Sequence, residues 1–192
     1  MRERGLVMSH PKDNERYTYA DYCSWDDGKR WELHEGVAYA MTGPLTEHQR
    51  ISMRLSSILD GFLRGKPCVP FAAPYDVRLN PHDGDDTVVQ PDLLVVCDRS
   101  KITEKCCVGA PDFIIEILSP TTARHDRLLK FNLYLKTGVR EYWIIDPESK
   151  TVQVCELKDG QYTTNVYDEV SRIPVSTLPG LDVNMADVFI EM

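Results

Sequence analysis

The stretch Gln90-Pro91-Asp92-Leu93-Leu94-Val95-Val96, followed by Phe113-Ile114-Ile115-Glu116-Ile117-Leu118, decides the reading of this chain. Each segment is a branched apolar run of strand length that carries one carboxylate. Alternate side chains of a strand share a face, so Glu116 falls with Ile114 and Leu118, and Asp92 with Leu94 and Val96. An acid in that company is costly unless a cation or hydrogen-bond donors compensate it. Either acid alone fits a strand-end cap or a partner for an arginine. Two on successive strands, followed by a helix bearing Lys130, point to a divalent-metal site.

The helix after Glu116 is predicted over Ala123 to Thr137, entered through Ser119-Pro120-Thr121-Thr122 and closed by Gly138. Its expected buried stripe is Leu128, Phe131 and Leu135. Asp126 and Lys130 stand four apart, a spacing that also permits an ordinary helical salt bridge. Val139 to Asp146 reads as the next strand, with Thr151 to Leu157 as its antiparallel partner across the turn Pro147–Lys150. From Gln161 to Phe189 the pattern predicts short strands and turns, a β flank to the main sheet.

Upstream, residues 1 to about 16 are polar and lack period, and read as a loose arm ahead of a single domain over 17–192. A short helix is expected near Tyr19 to Trp25. Trp31-Glu32-Leu33 and Val37 to Met41 flank Glu35-Gly36 as a hairpin, which puts Glu32 on its first strand. Thr46 is expected to cap a helix running to about Arg64, with Ile51, Leu55, Ile58, Leu59 and Phe62 at helical spacing. The opening turn of that helix holds Glu47, His48, Gln49 and Arg50, which could look into a cleft or simply be solvated. Phe71 to Leu79 reads as a strand made irregular by Pro74, and Thr87 to Val96 as the strand carrying Asp92. The acidic turn Asp83–Asp86 lacks the ligand order of a calcium loop.

The bulk numbers set limits. At 192 residues and 42 % hydrophobic content the chain can bury a core without staples. No apolar run is long enough for a membrane span, and the first residues lack the apolar stretch of a secretory signal, so a soluble, cytoplasmic protein is expected. The six cysteines show no C-x-x-C pair or zinc-finger spacing, and adjacent Cys106-Cys107 read as free thiols. A net charge of −8 argues against coating nucleic acid by bulk attraction. Locally, however, Arg124, Arg127, Lys130, Lys136 and Arg140 face only Asp126 between Pro120 and Arg140, so this segment could receive phosphate or be a solvated helix face.

Asp92 and Glu116 offer hard oxygen ligands to Mg²⁺ or Mn²⁺, and Lys130 a cation for water or phosphoryl oxygens, a set that suits phosphodiester hydrolysis. A Ser119-His125-Asp126 relay is disfavoured because adjacency on one turn does not build a triad. No glycine-rich phosphate loop is present.

At these residues the chain resembles the Uma-type (Uma-two) putative restriction endonucleases of the PD-(D/E)XK nuclease superfamily. The matching segments are Trp31-Glu32-Leu33 through Gly36, Glu47-His48-Gln49, Val89 to Leu94, Gly109-Ala110-Pro111-Asp112, Glu116 to Pro120, Asp126-Arg127 with Lys130, and Gly138 to Pro147. The resemblance runs from about Tyr17 to Leu157. It implies an α/β, mixed α+β restriction-endonuclease-like core with flanking helices, Asp92 and Glu116 as ligands of Mg²⁺ or Mn²⁺, Lys130 as the catalytic lysine and Glu32 as an additional acid. His48, Gln49, Gln90, Arg124 and Arg127 are the candidate DNA-binding residues, and a homodimer is compatible with this reading. Two departures stand out. The superfamily's usual lysine position, two residues after the second acid, holds Leu118, so the role is assigned to Lys130; and Val37 stands where the family's first hairpin often has a glutamate. Two other readings stay open: a binding module that has lost turnover, and a hydrolase of small phosphodiesters.

Overall fold

A computed structural model describes residues 10–12, 14–119 and 123–190, with the side chains of 123–127 outside the description. Helix α1 (Tyr19–Tyr22) opens on a capping box between Thr18 and Asp21. The hairpin β1 (Trp31–His34) and β2 (Val37–Ala40) turns through Glu35 and Gly36, both at positive φ, as a tight two-residue connection requires. Next come α2 (Thr46–Leu63), β3 (Val69–Ala72), β4 (Asp76–Arg78), β5 (Val88–Val89), β6 (Leu93–Val96), β7 (Cys106–Val108) and β8 (Phe113–Ile117). After them follow α3 (Ala123–Thr137), β9 (Glu141–Asp146), β10 (Thr151–Lys158), β11 (Gln161–Tyr167), β12 (Arg172–Pro174), β13 (Asp182–Asn184) and α4 (Met185–Val188). The fold is mixed α+β.

Six strands form the main sheet in the order β11-β10-β9-β8-β6-β3, with β8 and β9 parallel and every other pair antiparallel. The parallel pair needs a crossover, and α3 supplies it. Residues of β8 alternate between two cores. Phe113, Ile115 and Ile117 pack with Ile51, Leu55, Leu59 and Leu63 of α2 and with the C-terminal flank, while Ile114 packs with Leu133 and Tyr134 of α3. Covered on both sides, β8 is buried along its whole length, which is why it reads as a continuous apolar run. Leu59→Ala would therefore cost about 2–5 kcal/mol. A second sheet, β2-β1-β5-β4-β7, holds the hairpin whose Glu32 meets Lys130 of α3, and β12 pairs with β13 in the predicted flank.

Several expectations are corrected. Thr87 to Val96 is two short strands in two sheets, parted by Gln90-Pro91-Asp92, because Pro91 cannot donate to a ladder. Asp92 thus sits in a bend just ahead of β6. Phe71 to Leu79 divides likewise into β3 and β4 around Pro74, which follows a cis peptide bond. Leu45, not Thr46, occupies the N-cap of α2, with no side-chain capping bond. The buried face of α3 is Lys130, Leu133 and Tyr134, whereas Leu128 is 69 % exposed: the helix is rolled to bring polar groups onto Glu116. Cys106 and Cys107 are free and buried, as read, but Cys68 and Cys97 form a disulfide. These two extend the antiparallel β3–β6 register one step beyond Val69↔Val96, a proximity invisible in a sequence separation of 29.

Candidate active site

Two elements of the main sheet and two helices converge on one cleft. Glu116 lies on the α3 side of β8, where Lys130 Nζ donates to its Oε1 at 2.9 Å and Tyr134 OH to the same oxygen at 2.7 Å. Lys130 and Tyr134 are one helical turn apart, so a single face of α3 delivers both. Lys130 Nζ also reaches Oε1 of Glu32 on β1 at 3.0 Å. Glu32 also receives Gln90 N–H on Oε1 at 2.8 Å and faces His34 Nε2 through Oε2 at 3.1 Å. One buried ammonium therefore bridges two buried carboxylates.

Asp92 is held from the other side. His48 Nε2, in the first turn of α2, stands 3.0 Å from Asp92 Oδ2, and Ile117 N–H donates to the same oxygen at 2.8 Å. No hydrogen bond from a described residue reaches Asp92 Oδ1 or Glu116 Oε2. The Nδ1 atoms of His34 and His48 are buried without partners. A bare lone pair is cheaper there than an orphaned N–H, which favours the tautomer that carries its proton on Nε2 and donates it to the carboxylate.

The electrostatics follow from this arrangement. Burial drives the Glu116 carboxyl upward, Asp92 and Glu32 add to the push, and Lys130 with Tyr134 only partly offsets it, leaving Glu116 at about 7. Burial raises Glu32 too, but Lys130, His34 and the Gln90 N–H outweigh it and hold that group down, to about 2. Lys130 loses from burial and gains more from Glu116 and Glu32, so its pKa lies well above the ordinary lysine value. Burial opposes a charged His48 ring while Asp92 and Glu116 push its pKa up; the partnerless Nδ1 adds to the opposition, because protonation there would bury an unsatisfied N–H.

A cleft of about 370 Å³ is lined by Glu32, His48, Asp92, Glu116 and Lys130, with Arg30, His34 and Gln49 among its walls. The four candidates for catalysis and metal binding, Glu32, Asp92, Glu116 and Lys130, are thus brought together, with the DNA-binding candidates His48 and Gln49 beside them. Gln90 is not: its amide is taken up by Arg30, Tyr22 and Asp76, and only its backbone serves the site, through Glu32. The side chains of Arg124, Arg127 and Asp126 lie outside the described residues. Sequence reading missed His34 and Tyr134. Both carried a signal, His34 two residues from Glu32 on one strand face and Tyr134 four from Lys130 on one helix face.

A further acid, Glu141, shows what a structural carboxylate looks like in this fold. It is fully buried, and Trp143 Nε1, Ser176 OH, Thr177 N–H and Thr177 OH fill both its oxygens. Asp92 and Glu116 instead each have one oxygen to which no described residue donates. Among the described residues no three His, Cys, Asp or Glu side chains form a metal-holding group. Two carboxylates suit Mg²⁺, which takes one or two protein carboxylates and fills its remaining positions with water and phosphate oxygens.

The Uma2 family, described as a putative restriction endonuclease, matches residues 18–186. The chain belongs to that family. It is similar to two uncharacterized Synechocystis sp. proteins: slr1290, 26 % identical over 163 residues (82 % of this chain, 84 % of the relative), and sll1609, 26 % over 134 residues (67 % and 74 %). The crystal structure of a putative nuclease belonging to DUF820 from Anabaena variabilis superposes with a TM-score of 0.75 at 24 % identity. That likeness covers 90 % of this chain and 97 % of the other, and it shows the shared fold. Membership of the Uma2 family supports nuclease function.

Proposed function

We propose that this chain is a Mg²⁺- or Mn²⁺-dependent endonuclease that hydrolyses DNA phosphodiester bonds. The observation that carries the reading is the pair Asp92 and Glu116, each anchored through one oxygen and, among the described residues, without a donor on the other, beside a buried lysine at a cleft. Held by these two carboxylates, the ion would supply an acidified water and offset the charge gathering on the phosphoryl oxygens. Lys130 remains an ammonium at neutral pH, so it serves as a donor and positive charge toward water or phosphate and not as a base. Glu32 fixes that ammonium beside Glu116, and His48 with the Ile117 N–H fixes Asp92. Gln49 and Arg30 on the cleft wall, with Arg124 and Arg127 from the sequence reading, are the groups assigned to the DNA.

A cleavage assay on supercoiled plasmid, single-stranded DNA and RNA, with Mg²⁺, Mn²⁺ or EDTA, tests this. Plasmid nicking that needs either metal and stops in EDTA is expected; full cleavage in EDTA would contradict it. The charge of −8 favours a second reading, hydrolysis of small phosphodiesters. Turnover of a small aryl phosphodiester with no cleavage of any nucleic acid would select that one.

A further inference from the structure

We propose that strand β11 is a self-association edge through which two copies of this chain pair antiparallel, joining their main sheets into one. This inference stands independently of the nuclease reading.

β11 is the terminal strand of the six-stranded sheet, seven residues long, with the sequence Gln161-Tyr162-Thr163-Thr164-Asn165-Val166-Tyr167. Exposed edges are normally blunted by lysine, proline or a bulge. β11 has no charged residue and no proline, and it pairs with β10 in unbroken register from Lys158↔Gln161 to Val152↔Tyr167. The opposite edge, β3, carries Pro70.

The register also fixes which backbone groups are free. Asp159 and Gly160, both at positive φ, make a two-residue turn, so Lys158 and Gln161 exchange both hydrogen bonds and the pattern alternates from there. Gln161, Thr163, Asn165 and Tyr167 bond to β10. Tyr162, Thr164 and Val166 therefore turn their N–H and C=O groups outward, and no described residue bonds to them. A second copy related by a two-fold axis at Thr164 would set Thr164 opposite Thr164 and Tyr162 opposite Val166 twice. All three pairs are of the hydrogen-bonded kind, giving about six backbone bonds. Threonine pairs and aromatic–β-branched pairs are the favourable cross-strand combinations, and no like charges meet.

An exposed apolar stripe lies beside this edge. Phe131 of α3 packs edge-on to Tyr162 with ring centroids 5.2 Å apart, and Leu128, one turn earlier on the same helix face, is 69 % exposed. Val166 is 68 % exposed on the Tyr162 side of the strand. The two-fold pairing brings the Val166 of one copy against the Tyr162 and Phe131 of the other, and covers the stripe that the rolled α3 leaves open. A second copy fits better than a foreign strand because the edge complements itself.

Sedimentation velocity from about 1 µM to about 500 µM tests this, the range suited to an interface of modest area. The full chain should pass from monomer to dimer. Thr164→Lys sets two ammonium groups opposite each other on the axis and should raise the dissociation constant at least tenfold, and an equimolar mixture with Thr164→Glu should restore dimers. Hydrogen exchange on the unmodified chain provides a reading that needs no variant: the amides of Tyr162, Thr164 and Val166 should gain protection with concentration, while those of Thr163 and Asn165 stay protected throughout. A strictly monomeric chain over this range, or a dimer indifferent to Thr164→Lys with no change at those three amides, would overturn the proposal.

Discussion

Lys130 of α3 and Glu116 of β8 form an ion pair of 2.9 Å whose side chains are only 10 % and 12 % exposed, and the same ammonium holds Glu32 at 3.0 Å. An i, i+4 salt bridge on a helix surface is worth only a few tenths of a kcal/mol. Bridging two buried acids makes Lys130 worth far more. Lys130→Met should cost about 3–5 kcal/mol in denaturant melts at pH 7, since it strands buried charge. Adding Glu32→Gln should recover much of that loss without restoring turnover. A loss of only a few tenths in Lys130→Met would contradict the bridge.

Glu116→Gln should behave in the opposite way. Lys130 keeps Glu32 as its partner, so the metal-free variant should melt at the same temperature as the parent or higher at pH 8. The pH dependence has a definite sign. Because the folded pKa of Glu116, about 7, lies above its ordinary value of 4.5, the folded state retains a proton that the unfolded state releases between those values. That contribution favours folding at low pH and is lost as pH rises from about 4.5 to about 7. Glu116→Gln should flatten this slope. Glu32, held near 2, contributes in the lower window: its stabilisation is present above 4.5 and is lost as pH falls toward 2. Glu32→Gln should remove that acid-side loss.

His48 touches Asp92 and Asp92 touches the cleft, so His48→Ala should act on metal affinity more than on folding. Freeing Asp92 from one of its two anchors should weaken Mn²⁺ binding about 10–100-fold by calorimetry. His48→Asn or His48→Gln, able to donate from a shorter or longer amide, should recover part of it. Unchanged Mn²⁺ affinity in His48→Ala would remove the positioning role.

Glu141 provides the structural contrast. Glu141→Gln breaks a site filled by four donors and should cost roughly 1–3 kcal/mol while leaving the response to metal intact. A loss of metal response there would mean that the two classes of buried acid have been assigned wrongly.

Much of this was legible in the chain because its signals are local. The strands carrying Ile114 and Ile144, the α2 stripe and the Glu35-Gly36 turn follow from periodicity and turn chemistry, and Asp92, Glu116 and Lys130 from acids in apolar runs ahead of a basic helix. What stayed hidden depends on long-range placement. The partner of Lys130 across the fold is Glu32, 98 residues away, whereas the partner suggested by sequence is Asp126. The roll of α3 is not legible in sequence because hydrophobicity favours Leu128, Phe131 and Leu135, whereas the fold brings Lys130 and Tyr134 onto Glu116. Nothing local in the sequence signals that Arg30, Tyr22 and Asp76 take up the Gln90 amide.

The central claim is that Asp92 and Glu116 hold a divalent ion, and melting curves with and without Mg²⁺ or Mn²⁺ test it most directly, since they need no substrate. The parent chain should gain on the order of 2.7 kcal/mol at a hundredfold excess of metal over its dissociation constant. Asp92→Asn and Glu116→Gln should lose that gain, and neither should melt far below the metal-free parent. A parent that ignores both metals, together with a Glu116→Gln variant destabilised by several kcal/mol, would make Glu116 a structural counter-ion and contradict the account.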